Sequence, residues 1–171
     1  MNAEPVLPSA GGNDKRIKLL IMDVDGTLTD GKLYISERGE VCKAFNAKDG
    51  YGIRELLPMR GVTPAIITGR TSGILERRCE ELGIANLFQG VKNKVDAMRK
   101  LLSSLALRPD RVAYIGDDDN DLDVMRATSL AGCPADASAR VREAADFIAA
   151  RNGGEGAVRE FIEWMVENHY I

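Results

Sequence analysis

Three apolar runs, each breaking off into a polar side chain, constrain this chain more than any other feature of it. Residues 17–24 (IKLLIMDV), 62–68 (VTPAIIT) and 112–117 (VAYIGD) lack the alternation of a half-exposed strand, so each predicts a strand covered on both faces. Shorter runs at 87–91 and 130–133 predict two more strands. Helical spacing fills the intervals at 51–59, 73–82, 93–105, 121–127 and 138–144. A last helix at 157–166 sets Val158, Phe161, Ile162 and Met165 on one face. Asn93 and Ser138 have the chemistry of N-caps, and Gly83 that of a helix stop. Strands alternating with helices predict an α/β fold, a Rossmann-like doubly wound parallel sheet with helices on both sides. The alternation fails once. Residues 32–45 (KLYISERGEVCKAF) read as two short strands about Ser36-Glu37-Arg38-Gly39, a small β-hairpin just after the first strand.

At 171 residues the chain has room for a full hydrophobic core and needs no disulfide or metal to fold. Residues 1–15 carry Pro5, Pro8, Gly11 and Gly12 without an apolar core, so they read as a flexible tail and not an export signal. Residues 16–171 read as a single domain. No stretch approaches the roughly 20 apolar residues of a membrane helix. A net charge of −3 argues against a nucleic-acid groove or a polybasic membrane face, so neither partner is expected. The single histidine, His169, excludes reactions that need two. Cys42, Cys79 and Cys133 are scattered and form no Cys-x-x-Cys pair, as expected of reduced thiols packed as small apolar residues in a cytoplasmic protein. A thiol phosphatase would need an arginine six residues after its cysteine; those positions hold Lys48, Ala85 and Ala139.

In an open parallel sheet, ligands bind beyond the carboxyl ends of the strands. The polar residues expected there are Asp23 and Asp25, then Thr68, then Asp117 and Asp118, with Lys94 opening a helix nearby. Carboxylates beside a hydroxyl and an ammonium suit a hard, oxygen-ligated cation next to a phosphate, and Mg²⁺ fits such a set. Asp23-Val24-Asp25 places two carboxylates one residue apart, and Gly26 lets the chain turn so that each aims separately. One can attack phosphorus while the other exchanges a proton with the leaving oxygen. Thr68 and the amide of Gly69 can donate to phosphoryl oxygens, with Lys94 balancing their charge.

Asp23-Val24-Asp25-Gly26-Thr27, Thr68-Gly69, Lys94, and Gly116-Asp117-Asp118 with Asp121 stand in an order that resembles the haloacid dehalogenase superfamily of phosphatases. The resemblance implies that Asp23 is a nucleophile forming an aspartyl-phosphate, and that Asp25 is the general acid and then base. It implies Mg²⁺ held by Asp23, the main-chain carbonyl of Asp25, and Asp117, with Asp118 and Asp121 in support, and Thr68 and Lys94 on the phosphoryl group. The hairpin in place of a cap domain narrows the likeness. So do Lys43-Ala44-Phe45-Asn46, Asp49-Gly50-Tyr51-Gly52-Ile53, Ile67-Thr68-Gly69-Arg70, Leu87-Phe88-Gln89-Gly90 and the Gly153–Glu160 segment. Together they are similar to the capless 3-deoxy-D-manno-octulosonate 8-phosphate (KDO 8-phosphate) phosphatase family, over nearly the whole chain. That likeness implies a phosphorylated sugar acid as substrate, a place in lipopolysaccharide precursor synthesis, and a homotetramer whose hairpins and C-terminal segments close neighbouring sites. Glu155 stands where the family is often basic, and Asp119 where it is usually apolar.

Arg70 is a candidate substrate contact. Gly153–Gly156 reads as a hinge that could carry Arg159 to a neighbouring subunit, the bland alternative being a pair with Glu155 or Glu160. The rival enzyme reading is a phosphatase for a nine-carbon keto-sugar acid 9-phosphate, whose residue after Thr-Gly is acidic; Arg70 favours the octulosonate. A phosphorelay receiver would need its phosphorylated aspartate after the third strand and a lysine after the fifth. Gln89-Gly90 and Cys133-Pro134 stand there instead.

Overall fold

The computed structural model describes residues 16–171, so the tail expected at residues 1–15 lies outside the described residues. Its central sheet has six strands, all parallel: β1 (Leu19–Met22), β4 (Thr63–Ile67), β5 (Asn86–Phe88), β6 (Val112–Ile115), β7 (Leu130–Cys133) and β8 (Phe147–Ile148). Their spatial order is β5-β4-β1-β6-β7-β8. The remaining two strands, β2 (Tyr34–Ser36) and β3 (Gly39–Cys42), pair antiparallel as the expected hairpin, turning on Gly39 at a φ of 108°.

Alternate residues of each central strand feed opposite cores, as a two-sided sheet requires. In β1, Leu20 and Met22 join Phe161, Ile162 and Met165 on one face, while Leu19 and Ile21 join Met98, Leu101 and Val141 on the other. The first face is covered by α3 (Gly73–Leu82), by α7 (Ala157–Glu167), and by Ile53 and Leu57 from the helical stretch that opens with α1 (Ala47–Tyr51). The second is covered by α4 (Lys94–Leu105), α5 (Leu122–Arg126) and α6 (Ala139–Ala144). Val158, Phe161, Ile162 and Met165 are fully buried, so the apolar stripe of α7 is its core face.

Several local expectations are corrected by packing. The helix expected at 51–59 begins at α1, capped by Asn46, whose side chain accepts from the Lys48 amide at 2.8 Å. It then widens into a π-helical turn over Gly52–Leu56 before α2 (Leu57–Met59), with the Leu57 amide reaching the Gly52 carbonyl. Pro58 accounts for the widening, because its ring lacks a donor and crowds the carbonyl one turn back. Asn93 caps α4 and Gly83 closes α3 in the left-handed conformation, as expected. Ser138 makes no cap bond; its hydroxyl donates to Asp119 instead. The edge strand β8 was not anticipated, since two residues carry no periodicity. Cys79 and Cys133 are buried as free thiols, but Cys42 is exposed on the hairpin.

Gly153 and Gly154 are a packed strap and not a hinge. The Gly154 amide donates to the Thr27 carbonyl at 3.0 Å, and the Gly153 amide to Asp136 at 2.9 Å. A β-carbon on Gly153 would fall 1.8 Å from the Gly26 carbonyl oxygen, so only glycine lets the C-terminal segment lie on the loop after β1.

Candidate active site

Because β1 lies between β4 and β6, chain connections diverge on either side of it and leave a crevice at its carboxyl end. Asp23 follows β1, Thr68 follows β4 and Asp117 lies just beyond β6. With Asp25, Gly69, Arg70, Asp118 and Asn120 they line one cleft of about 220 Å³. The convergence expected from the strand ends is therefore present, and Lys94 is the exception: it does not line the cleft.

Lys94 instead lies buried behind Asp23, its ammonium 2.9 Å from the Asp23 carboxylate and 2.6 Å from Asp121. Burial alone would lower its pKa, but Asp23 and Asp121 outweigh that and raise it, so the ammonium stays charged. Asp121 is fully buried and fully committed. One oxygen accepts from Lys94 and from the Tyr114 hydroxyl at 2.5 Å; the other accepts the amides of Asp117 and Asp118 at 3.0 and 3.2 Å. Gly116 makes room for it, since a β-carbon there would lie 2.4 Å from the Asp121 carboxyl carbon. Asp118 caps the short turn that follows, bonding the Asp119 amide at 2.8 Å. Asp118 and Asp121 thus fix the loop that presents Asp117.

Asp23, Asp117 and Asp121 bring carboxylate oxygens within 4.8 Å of one another. Burial, and then the charge of Asp121, push the Asp23 pKa up to about 6 against the pull of Lys94. Burial and Asp23 push Asp117 up to about 7, although the Thr27 hydroxyl donates to it at 2.9 Å. Three carboxylates against one ammonium leave negative charge uncompensated, and the donors are all hard oxygens. Such a set fits a divalent cation of the Mg²⁺ kind. With Asp121 saturated, Asp23 and Asp117 are the carboxylates left to hold it.

The Asp25 carboxyl points elsewhere. It meets the ammonium of Lys43 from the hairpin, and the Arg70 guanidinium at 3.6 Å. Lys43 also pairs with Glu40 at 3.1 Å, and Glu40 accepts from the Ser72 hydroxyl. Burial alone would raise the Glu40 pKa, but the bonds from Ser72 and Lys43 outweigh it and lower it. Arg159 is not in this cleft. Its guanidinium pairs with Glu163 at 2.7 Å and lies 5.0 Å from the Tyr51 ring centre, so neither Glu155 nor Glu160 is its partner.

Sequence reasoning gave no site role to Tyr114, Glu40, Lys43 or Ser72, although Lys43 stands in one of the family-like motifs. Tyr114 left one trace, a hydroxyl tip inside an otherwise apolar run. Glu40 left none beyond charge on a short strand near the site.

The sequence profile of haloacid dehalogenase-like hydrolases matches residues 80–162. The KDO 8-phosphate phosphatase of Salmonella typhimurium is 45% identical over 162 residues, covering 95% of this chain and 86% of that protein. The Moraxella catarrhalis KDO 8-phosphate phosphatase, solved with magnesium, phosphate and KDO, superposes with a TM-score of 0.85 at 38% identity, covering 92% of this chain and 91% of that one. The cobalt-bound enzyme of Haemophilus influenzae gives 0.86 at 38% identity, covering 90% of each chain. Fold, strand-end cluster and identity over nearly the full length agree: this chain belongs to the KDO 8-phosphate phosphatase family of haloacid dehalogenase-like hydrolases.

Proposed function

We propose that the chain hydrolyses 3-deoxy-D-manno-octulosonate 8-phosphate to the free sugar acid and inorganic phosphate, a step in making lipopolysaccharide precursor. The observation that carries this reading is the separation of two neighbouring aspartates into two environments. Asp23 lies buried on Lys94 within the carboxylate cluster, while Asp25 faces the cleft mouth between Lys43 and Arg70. Asp23 attacks phosphorus, aimed by Lys94. Asp25 gives its proton to the leaving O8, and the phosphoryl group passes to the Asp23 carboxylate as an aspartyl-phosphate. Asp25, now ionised, takes a proton from the water that attacks this intermediate, which frees phosphate and restores Asp23. Thr68 and the Gly69 amide donate to the phosphoryl oxygens, and Arg70 contacts the sugar acid. Asp23, Asp117 and the Asp25 main-chain carbonyl would hold Mg²⁺, which when bound would offset the charge of the transferring group.

Side-by-side assay of octulosonate 8-phosphate and a nine-carbon keto-sugar acid 9-phosphate tests the substrate. We expect the higher kcat/KM for the octulosonate. Equal or faster turnover of the nine-carbon ester overturns that assignment.

The same reading includes a cytoplasmic homotetramer of one domain per chain. Among the described residues no helix is long and apolar enough to cross a membrane. The cleft is below the roughly 300–1,000 Å³ of ordinary small-molecule pockets, so it takes the phosphoryl end and leaves the sugar acid protruding. The hairpin beside it exposes Leu33, Tyr34, Ile35 and Val41, an apolar ribbon suited to pairing with its copies. Closure shared between subunits would cover the sugar acid, with Arg159 reaching a neighbour's substrate carboxylate. Light scattering at assay concentration is expected to report four copies, and Arg159→Ala to raise KM. A fully active monomer refutes the first, and an unchanged KM removes the second.

A further inference from the structure

Four side chains at the cleft mouth close a ring of alternating charge. Lys43 bonds Asp25 Oδ1 and Glu40 Oε1; Arg70 lies 3.8 Å from Glu40 Oε1 and 3.6 Å from Asp25 Oδ2. Two members come from the hairpin and two from the body of the protein. Glu40 and Lys43 turn inward while Tyr34, Ile35 and Val41 remain exposed, and the Lys43 side chain is only 3% accessible. Ser72 anchors the far side of Glu40, so the ring is tied to the start of α3 as well.

Stability is a weak explanation for this arrangement. Burying a lysine against carboxylates returns little net stability, and an apolar contact would dock the hairpin as firmly. What a ring of charge supplies, and an apolar contact does not, is a fixed direction for the carboxyl group it encloses. Asp25 needs that direction. It stands on a turning loop beside Gly26, whose φ is 95°, and its carboxyl must meet one leaving oxygen within hydrogen-bond reach.

We infer that Lys43, braced by Glu40, is a positioning residue for Asp25: the hairpin aims the proton donor at the leaving oxygen. The inference rests on the acid role of Asp25 proposed above, and not on the identity of the sugar.

The test compares kcat/KM on two esters, which isolates the step up to phosphoryl transfer. An alkyl phosphate such as octulosonate 8-phosphate has a leaving oxygen that needs a proton; the p-nitrophenolate of p-nitrophenyl phosphate leaves without one. Lys43→Met is expected to lose about 100-fold on the alkyl ester, within the usual range for general acid catalysis, and less than about 3-fold on the aryl ester. Lys43→Arg, which keeps the charge and the donor, should recover most of the loss. Glu40→Gln, which leaves Asp25 and Lys43 in place, should show the same selective loss in smaller measure and supplies the test if Lys43→Met does not fold. Equal losses on both esters in these variants, at unchanged melting temperature, overturn the inference. A wild-type preference for some other alkyl phosphate would overturn only the substrate assignment, and the same ratio would then be measured with that ester.

Discussion

Asp23→Asn is expected to abolish turnover without unfolding the protein. An amide cannot form the acyl-phosphate, and removing a covalent nucleophile in other enzymes costs as much as ~10⁶ in kcat. The loss should appear in kcat for alkyl and aryl phosphates alike, because both pass through the same intermediate. Stability should move the other way. Burial and Asp121 both raise the pKa of Asp23, and Asp23 in turn raises that of Asp117. Neutralising Asp23 relieves these repulsions, while Lys94 keeps its 2.6 Å bond to Asp121. A thermal melt at pH 8 without added cation should therefore match or exceed the wild type. Near wild-type turnover would overturn the nucleophile assignment, and an unfolded variant would overturn this account of the charge cluster. Asp25→Asn is expected to slow both half-reactions while still permitting a trace of aspartyl-phosphate.

Chelation of Mg²⁺ is the second large effect. Phosphate-monoester hydrolysis has one of the highest uncatalysed barriers known, answered by accelerations of up to ~10²¹, so loss of charge neutralisation at the phosphoryl group should leave almost no rate. Full activity in excess chelator would end the cation reading. A melt gives a readout independent of turnover. Burial and neighbouring carboxylates push Asp23 up to about 6 and Asp117 up to about 7 in the folded protein, above the ordinary carboxylate range. Each raised pKa favours the protonated folded state, so the cation-free protein loses stability as pH rises from the unfolded pKa through the folded one. Above pH 7 both are ionised and ready to bind; below pH 6 protons compete with the cation. Mg²⁺ at a hundredfold excess over Kd adds about 2.7 kcal/mol, or roughly 5–11 °C in a domain of this size. That upshift is expected at pH 8 and should shrink strongly at pH 5.5. An equal upshift at both values would mean that these two aspartates do not hold the ion.

The central sheet and the heart of the site were both readable along the chain, for one reason. Burial on two faces writes a continuous apolar run, and parallel order then forces the ends of those runs together. Asp23, Thr68 and Asp117 were found in that way, and the apolar stripe of α7 by its spacing. Signals shorter than one period failed, as with β8. So did the helix start at Ala47, where the cap and not the apolar spacing marks the end.

Which charged groups meet was decided only by tertiary packing. Lys94 reads as a phosphate ligand, and packing alone sets its ammonium against Asp23 and against Asp121, which lies 27 residues away. Gly153 read as part of a hinge and proves to be where one loop rests on another. Lys43 carried no periodic signal of its pairing, because its partner Asp25 lies 18 residues earlier, on the loop after β1. Periodicity records the burial of each residue relative to its chain neighbours. An ion pair between distant segments depends on the position and angle at which those segments pack, and the spacing of residues along one chain contains neither.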